Sequence, residues 1–272
     1  MGLLRVQKKE QEALTTPRIY VPRISDDVDH VALGNDNLNY IKNVLRLKPG
    51  DPVTVFDGRQ FEYETIIDHF SSDSAILTIT EKKEIRHSEI RITLAQSIPK
   101  AGKMEFIIQK ATELGITTII PVLSRRSIPK FPGNKMTAKV SRWRKIAVEA
   151  SRQCGRAVIP DIRDIVSFDD MVRLPGDNDC RIIFWEEETT RDFKTMLHND
   201  TVKNRKDFFI VVGPEGGFTR EEVESARANG FASVTLGTYI LRTETVALAV
   251  LSILQYERGM FGASAKGEHS DA

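Results

Sequence analysis

The chain has 272 residues, 40% of them hydrophobic and 28% charged, enough to bury a full core in one large or two ordinary domains. The net charge of +1 hides an asymmetry: residues 121–145 hold eight Lys or Arg and no acid, which leaves −7 for the rest of the chain, so a localised polyanion contact is expected. Two cysteines without C-x-x-C or H-E-x-x-H spacing indicate neither a disulfide framework nor a metal site, and no apolar run reaches the roughly 18 residues of a membrane span, so a cytoplasmic protein with no metal and no membrane partner is expected.

Residues 1–16 mix charged and scattered apolar positions and read as a tail. From residue 17 the pattern turns to β, with short runs at 19–21, 30–33, 53–56, 61–69 and 75–80. Asp57 and Gly58 between two of these runs signal a hairpin, and residues 39–47 read as one short helix ended by Pro49 and Gly50. Short strands at even spacing predict a small β-barrel over 17–82. The charged stretch at 81–89 follows, with the linker placed at 83–89.

Beyond it, alternating strands and helices predict an α/β domain over 90–262, with a tail at 263–272. A strand at 91–95 leads to a helix over 102–114 with Met104, Ile107, Ile108, Ala111 and Leu114 on one face, then to a strand at 116–122. Lys100 and Lys103 at that helix start read as solvated lysines, with a nucleotide contact as the alternative. Residues 124–134 form a loop carrying Arg125, Arg126 and Lys130, and the helix after it, 137–154, holds Lys139, Arg142, Arg144 and Lys145. A basic loop running into a basic helix suits phosphate contacts, with Trp143 as a packing or base-stacking group. Arg152 and Arg156 fall one helical turn apart near Gly155, and Cys154, lacking a local base, reads as a buried structural thiol. A strand at 179–185 and a helix at 193–198 complete the approach to the most informative stretch, 208–260.

Residues 208–212 are a continuous apolar run, as expected for a strand buried on both faces of a parallel sheet. Gly213, Pro214, Glu215, Gly216 and Gly217 follow at its carboxyl end, where open α/β sheets bind ligands. Thr219 and Glu222 have capping-box spacing, so a helix should start at Arg220 and end by Gly230. A strand at 233–236 then reaches a second glycine turn at Gly237, and Arg242, Glu244 and an apolar helix over 246–256 come next. Two glycine turns one βαβ unit apart, at neighbouring strand ends, are expected to share one crevice.

The segment GPEGG at 213–217, LG-x-x-ILRTET at 236–245 and EASRQCGR at 149–156 together closely resemble the bacterial small-subunit ribosomal RNA uridine-N3 methyltransferases, the RsmE family of the SPOUT superfamily. The resemblance runs from about Arg18 to Phe261. Val246 stands where the family usually has alanine, and Cys154 where it usually has a small residue such as serine. The resemblance implies a SPOUT-type parallel sheet with a C-terminal trefoil knot, preceded by a small N-terminal PUA-like RNA-binding barrel. It implies S-adenosyl-L-methionine as cofactor, a homodimer, and 16S ribosomal RNA of the small subunit as partner, methylated at a uridine N3; another RNA is the alternative substrate.

Candidate cofactor contacts are Val212, Gly213, Pro214, Gly216, Gly217, Leu236, Gly237, Ile240, Leu241 and Thr245. The imide proton of uridine N3 must leave, so an anion stabiliser, a base or both are needed. Arg242 suits the first role; Glu215 and Glu244 are candidate bases, each with a structural alternative as loop ion pair or helix-terminus charge. Candidate RNA contacts are Arg18 and Arg23 in the barrel, and Arg125, Arg126, Lys130, Arg152 and Arg156 beyond it. A nucleotide hydrolase is disfavoured because G-x-x-x-x-G-K-[ST] is absent, and a non-catalytic RNA-binding factor would not need paired glycine turns.

Overall fold

The computed structural model describes residues 16–25, 28–85, 88–127 and 133–261, so Lys130 and nearly all of both expected tails lie outside the described residues. Two compact units separate, Met1–His87 with Ser151–Ile159, and Ser88–Ala150 with Pro160–Ala272.

In the first unit β1 (Arg18–Tyr20), β2 (His30–Gly34), β3 (Pro52–Phe56), β4 (Phe61–Phe70) and β5 (Ser74–Glu84) form one curled sheet in the order β1-β3-β4-β5-β2. Alternation along β4 turns Tyr63, Thr65 and Ile67 inward, against a core that includes Ile19, Leu33, Ile41, Val53 and Leu77. The β3–β4 hairpin is built on Asp57, whose Oδ1 accepts the N–H groups of Arg59, Gln60 and Phe61 at 2.8, 2.8 and 3.0 Å. The expected helix at 39–47 starts and ends earlier: α1 (Asn35–Asn39) continues as a π-helical turn at Tyr40–Val44. β5 also runs through the start of the charged stretch at 81–89, because a long antiparallel partner, β4, pairs it as far as Glu84.

The second unit contains β6 (Arg91–Ser97), α2 (Lys103–Glu113), β7 (Thr118–Leu123), α3 (Gly133–Cys154) as far as Ala150, β8 (Asp161–Ile162), β9 (Val166–Ser167), α4 (Phe168–Met171), β10 (Cys180–Phe184), α5 (Phe193–Leu197), β11 (Asp207–Val212), α6 (Arg220–Ala228), β12 (Ala232–Val234) and α7 (Thr243–Glu257). The strands are parallel, in the order β12-β10-β11-β6-β7-β8 with β9 also on β7. Helices cover both faces of such a sheet, which is why β11 reads as unbroken Phe208, Phe209, Ile210, Val211 and Val212, none more than 3% exposed. Thr219 and Glu222 form the expected capping box on α6.

Three expectations are corrected. The glycine turns do not follow neighbouring strands: β11 and β12 flank β10, since the α6 crossover carries the chain past it, and strand order leaves no periodic trace in sequence. Arg152 and Arg156 are not on one helix face, because α3 stops at Cys154, Gly155 adopts φ 78° and the Arg156 N–H returns to Ser151 O at 2.9 Å. Cys154 is exposed rather than buried; Cys180 is the buried thiol, pushed up to about 11 by burial.

Candidate active site

A cavity of about 550 Å³ opens at the carboxyl ends of β10, β11 and β12, within the range of small-molecule sites. Val212, Gly213, Pro214, Gly216 and Gly217 line it from the first glycine turn, and Leu236, Gly237, Ile240 and Leu241 from the second. Thr245 does not: it faces an open depression beside α7 with Leu248, Ala249 and Phe106. Sequence reasoning missed Phe184, Trp185 and Glu186 at the end of β10. The signal was present, since the strand at 179–185 was legible and its carboxyl end belongs to the same crevice.

Each turn has a specific backbone requirement. Gly217 sits at φ 67°, its N–H closing onto Pro214 O at 2.9 Å, and a Cβ there would overlap the Glu186 carboxylate. Gly213 is held from the other side by the Thr243 hydroxyl, which donates to its carbonyl at 2.6 Å and accepts from Gln96 Nε2 at 2.9 Å. Gln96 is fully buried, so α7, β6 and the first turn share one desolvated polar clamp.

Glu188, 8% exposed, gathers a set of donors just past the end of β10. It accepts from Thr190 N at 2.9 Å, Thr190 Oγ1 at 2.6 Å, Arg227 Nη2 at 2.9 Å and the Ser233 hydroxyl. Burial pushes its carboxyl up, but these hydrogen bonds outweigh burial and hold it down at about 2. The Arg227 guanidinium also lies 5.5 Å from the Trp185 ring centroid, carrying this order to the cavity wall.

Charge gathers at the mouth. Arg242, the N-cap residue of α7, is exposed and lines the cavity. Glu215 and Glu244 both lie 3.1 Å from Lys103 Nζ, so Lys103 is a paired group rather than the solvated lysine expected. Burial raises the Glu215 carboxyl, yet its own backbone N–H, Lys103 and the Lys100 N–H together leave it below the ordinary glutamate range. The Lys103 ammonium is raised by hydrogen bonding to Glu215 first and Glu244 second.

Several of the expected RNA contacts are engaged elsewhere. Arg126 donates to Gly216 O at 2.8 Å, and Arg125 stands 3.6 Å from Glu221 while its backbone N–H bonds Glu222 Oε1. Along α3, Arg142 pairs with Glu105 and Arg144 with Asp164, whereas Lys145 is exposed. Trp143, 3% exposed, is a packing group and not a base-stacking one. In the first unit Arg18 pairs with Glu62 at 3.0 Å over the Phe56 ring, Arg23 is exposed, and Arg152 lies 4.4 Å from the Tyr40 ring centroid. Arg156 is half-buried, and burial lowers its guanidinium. Among the described residues no group of three His, Cys, Asp or Glu could hold a metal ion, and no helix is long and apolar enough to cross a membrane.

The cavity can test a cofactor directly. Its rim is mostly backbone and apolar surface, Tyr239 and Ile240 on the second turn are 85% and 86% exposed, and the Trp185 indole N–H is buried without a hydrogen-bond partner. Backbone edges and an apolar cover suit a flat heteroaromatic with a polar sugar, as in an adenosyl group.

Residues 86–255 match the model of an RNA methyltransferase domain and residues 33–80 that of an RNA methyltransferase PUA domain. Ribosomal RNA small subunit methyltransferase E of Bacillus subtilis is 33% identical, covering 83% of this chain and 90% of its own length, and that of Buchnera aphidicola from Acyrthosiphon pisum is 32% identical over 90% and 95%. The crystal structure of ribosomal RNA small subunit methyltransferase E from Neisseria gonorrhoeae bound to S-adenosyl methionine superposes with a TM-score of 0.78 at 30% identity, covering 89% of this chain and 97% of that one. With the PUA-type sheet, the parallel α/β unit and the glycine-rimmed cavity in place, the chain belongs to the ribosomal RNA small subunit methyltransferase E family.

Proposed function

We propose that the protein is a cytoplasmic homodimer that methylates N3 of a uridine in 16S ribosomal RNA of the small subunit, with residues 208–260 threaded as a trefoil knot. The observation that carries the reading is the cavity rimmed by backbone of two glycine turns with Arg242 at its mouth. S-adenosyl-L-methionine, when bound there, supplies a methyl group activated on a sulfonium.

The residues present divide the remaining work. Backbone N–H and C=O groups of 213–217 and 236–241 recognise the adenine edges and ribose, and the buried Gln96–Thr243–Gly213 clamp keeps the first turn rigid against them. Arg242 hydrogen-bonds the uracil as its imide proton leaves and negative charge develops on the ring. Glu244 and Glu215 are the acceptors at hand; with the Lys100 N–H, the Lys103 ammonium and its own N–H already on its oxygens Glu215 is the weaker base, which favours Glu244 or a water beside it.

The homodimer rests on α7. Ala247, Val250, Leu251 and Leu254 are buried in this subunit, while Leu248 and Ala249 line an open depression beside Phe106, which is 45% exposed. An apolar helix covered on one side only is what a second copy would complete.

Isothermal titration should show S-adenosylmethionine binding with 1:1 stoichiometry per subunit and no binding of ATP. Small subunits from cells lacking the protein should gain 3-methyluridine on incubation with it and cofactor, read by mass spectrometry, and Arg242→Ala should lower turnover more than RNA affinity. Methyl incorporation at a ribose or another base, with uridine N3 untouched, would overturn the assigned acceptor.

A further inference from the structure

Lys103 and Arg242 are the two residues that line both the cofactor cavity and the open depression beside α7. Lys103 Nζ is 3.1 Å from Glu215 Oε1, on the first glycine turn, and 3.1 Å from Glu244 Oε2, in the first turn of α7. The backbone leading to it is unusual. Ala101 at φ 51° and Gly102 at φ 74° follow one another in the left-handed region between β6 and α2. An alanine holds that conformation only where its surroundings impose it. The result is convergence on one carboxylate, because this bend also delivers the Lys100 N–H to both Glu215 oxygens at 3.2 Å.

We propose that Lys103 is a positioning residue for methyl transfer: its ammonium is the shared counter-ion that fixes Glu215 and Glu244, tying the first glycine turn to the start of α7 and so to Arg242. The proposal rests on the methyltransferase reading above. The charged groups facing Lys103 are Glu215 from the turn, and Glu244 and Arg242 from α7; Glu105, further along α2, is taken by Arg142 at 2.8 Å. Two acids and two bases therefore balance at the mouth.

Removing the ammonium leaves two carboxylates beside Arg242, which lines the same cavity and depression. Arg242 is then drawn into the vacated pair and away from the substrate, and Glu215 holds its proton to higher pH because its charge no longer has that partner. Loss should therefore appear in turnover and in its pH dependence before it appears in cofactor binding, since the bonds that hold the turn's backbone, Gly217 N–H to Pro214 O and the Thr243 hydroxyl to Gly213 O, remain without Lys103.

The test combines two measurements on the full chain. Carboxyl-¹³C-labelled glutamate reports the Glu215 titration by NMR in wild type, Lys103→Met and Lys103→Arg, with no substrate needed. Single-turnover methylation of small subunits across pH 5–9 reports the acid limb of activity. The expected result is that Glu215 titrates below the ordinary glutamate range in wild type and measurably higher in Lys103→Met. That variant should also lose about tenfold or more in turnover at neutral pH, with its acid limb moved up and cofactor affinity within about threefold. Lys103→Arg, which keeps the charge, should stay close to wild type in all of these.

Superimposable titrations and pH profiles in wild type and Lys103→Met overturn the proposal, as does Lys103→Arg behaving like Lys103→Met. Should Lys103→Met fail to fold, a wild-type Glu215 titrating at or above the ordinary range overturns it alone. Failure of wild type to methylate any small subunit would count against the functional reading, while the titration still decides the counter-ion role.

Discussion

The Thr243 hydroxyl donates a 2.6 Å hydrogen bond to the carbonyl of Gly213, joining the first residue of α7 to the first residue of the glycine turn. Gln96 Nε2, buried beneath, donates to the same hydroxyl at 2.9 Å. Thr243→Val keeps the shape and removes both bonds, leaving the Gly213 carbonyl with a long 3.5 Å bond from Gln96 Nε2 in place of the short one, where Thr243 is 5% exposed. Such a loss costs about 1–3 kcal/mol, so melting should fall by several degrees and cofactor affinity should drop with it. Thr243→Ser, which retains the hydroxyl, should stay near wild type in both calorimetry and titration; a Thr243→Val protein that melts and binds unchanged would show the clamp to be dispensable.

Gly217 makes a second, sharper test. At φ 67° any side chain is strained, and its Cβ would overlap the Glu186 carboxylate. Gly217→Ala should therefore weaken S-adenosylmethionine binding at least about tenfold, or about 1.4 kcal/mol. Glu186→Ala in the same chain removes the overlap but not the backbone strain, so the double variant should recover part of the loss. Full recovery would show that strain is negligible there, and no recovery would show that the steric conflict is.

Glu188 gives the fold a pH dependence with a definite sign. Its folded-state carboxyl lies at about 2, below the ordinary value of 4.5, because its hydrogen bonds outweigh burial. A depressed carboxylate contributes stability that is fully present above about pH 5 and is lost as pH falls towards 2. Glu188→Gln should be less stable than wild type by a contribution on the order of 3 kcal/mol at neutral pH, with the two converging as the solution is acidified. Parallel melting curves from pH 7 to pH 3 with a constant gap between the proteins would contradict this.

What the residues reveal in advance follows from what is local. The β11 strand, the α6 capping box and the Asp57 hairpin are each written in a few consecutive side chains, and each is found where its signal lies. Strand order is not local, so the interposition of β10 and the arrival of Trp185 and Glu186 at the cavity left no mark on the 208–260 stretch. Partnership is not local either. Lys103 reads as an exposed lysine at a helix start until Glu215 and Glu244 arrive from more than one hundred residues away, and Arg18 reads as a free cation until Glu62 closes on it.

The same non-locality reshapes the expectation for RNA. A chain read residue by residue gives Arg125 and Arg126 the same role, yet Arg126 is bonded to Gly216 O and its Cβ lies 3.3 Å from where a Gly216 Cβ would be, whereas Arg125 is solvent-facing beside the exposed Glu221. Arg125→Ala combined with Lys145→Ala should therefore weaken binding to small subunits and flatten its salt dependence by about one to two phosphate contacts, with cofactor affinity unchanged. Arg126→Ala should instead loosen the first glycine turn and weaken S-adenosylmethionine binding in the absence of any RNA. Titrating all three proteins with cofactor alone, and with small subunits at several salt concentrations, separates the roles. If Arg126→Ala alters the salt slope and leaves cofactor affinity intact, its bond to Gly216 does not shape the turn, and the basic loop is a uniform phosphate contact after all.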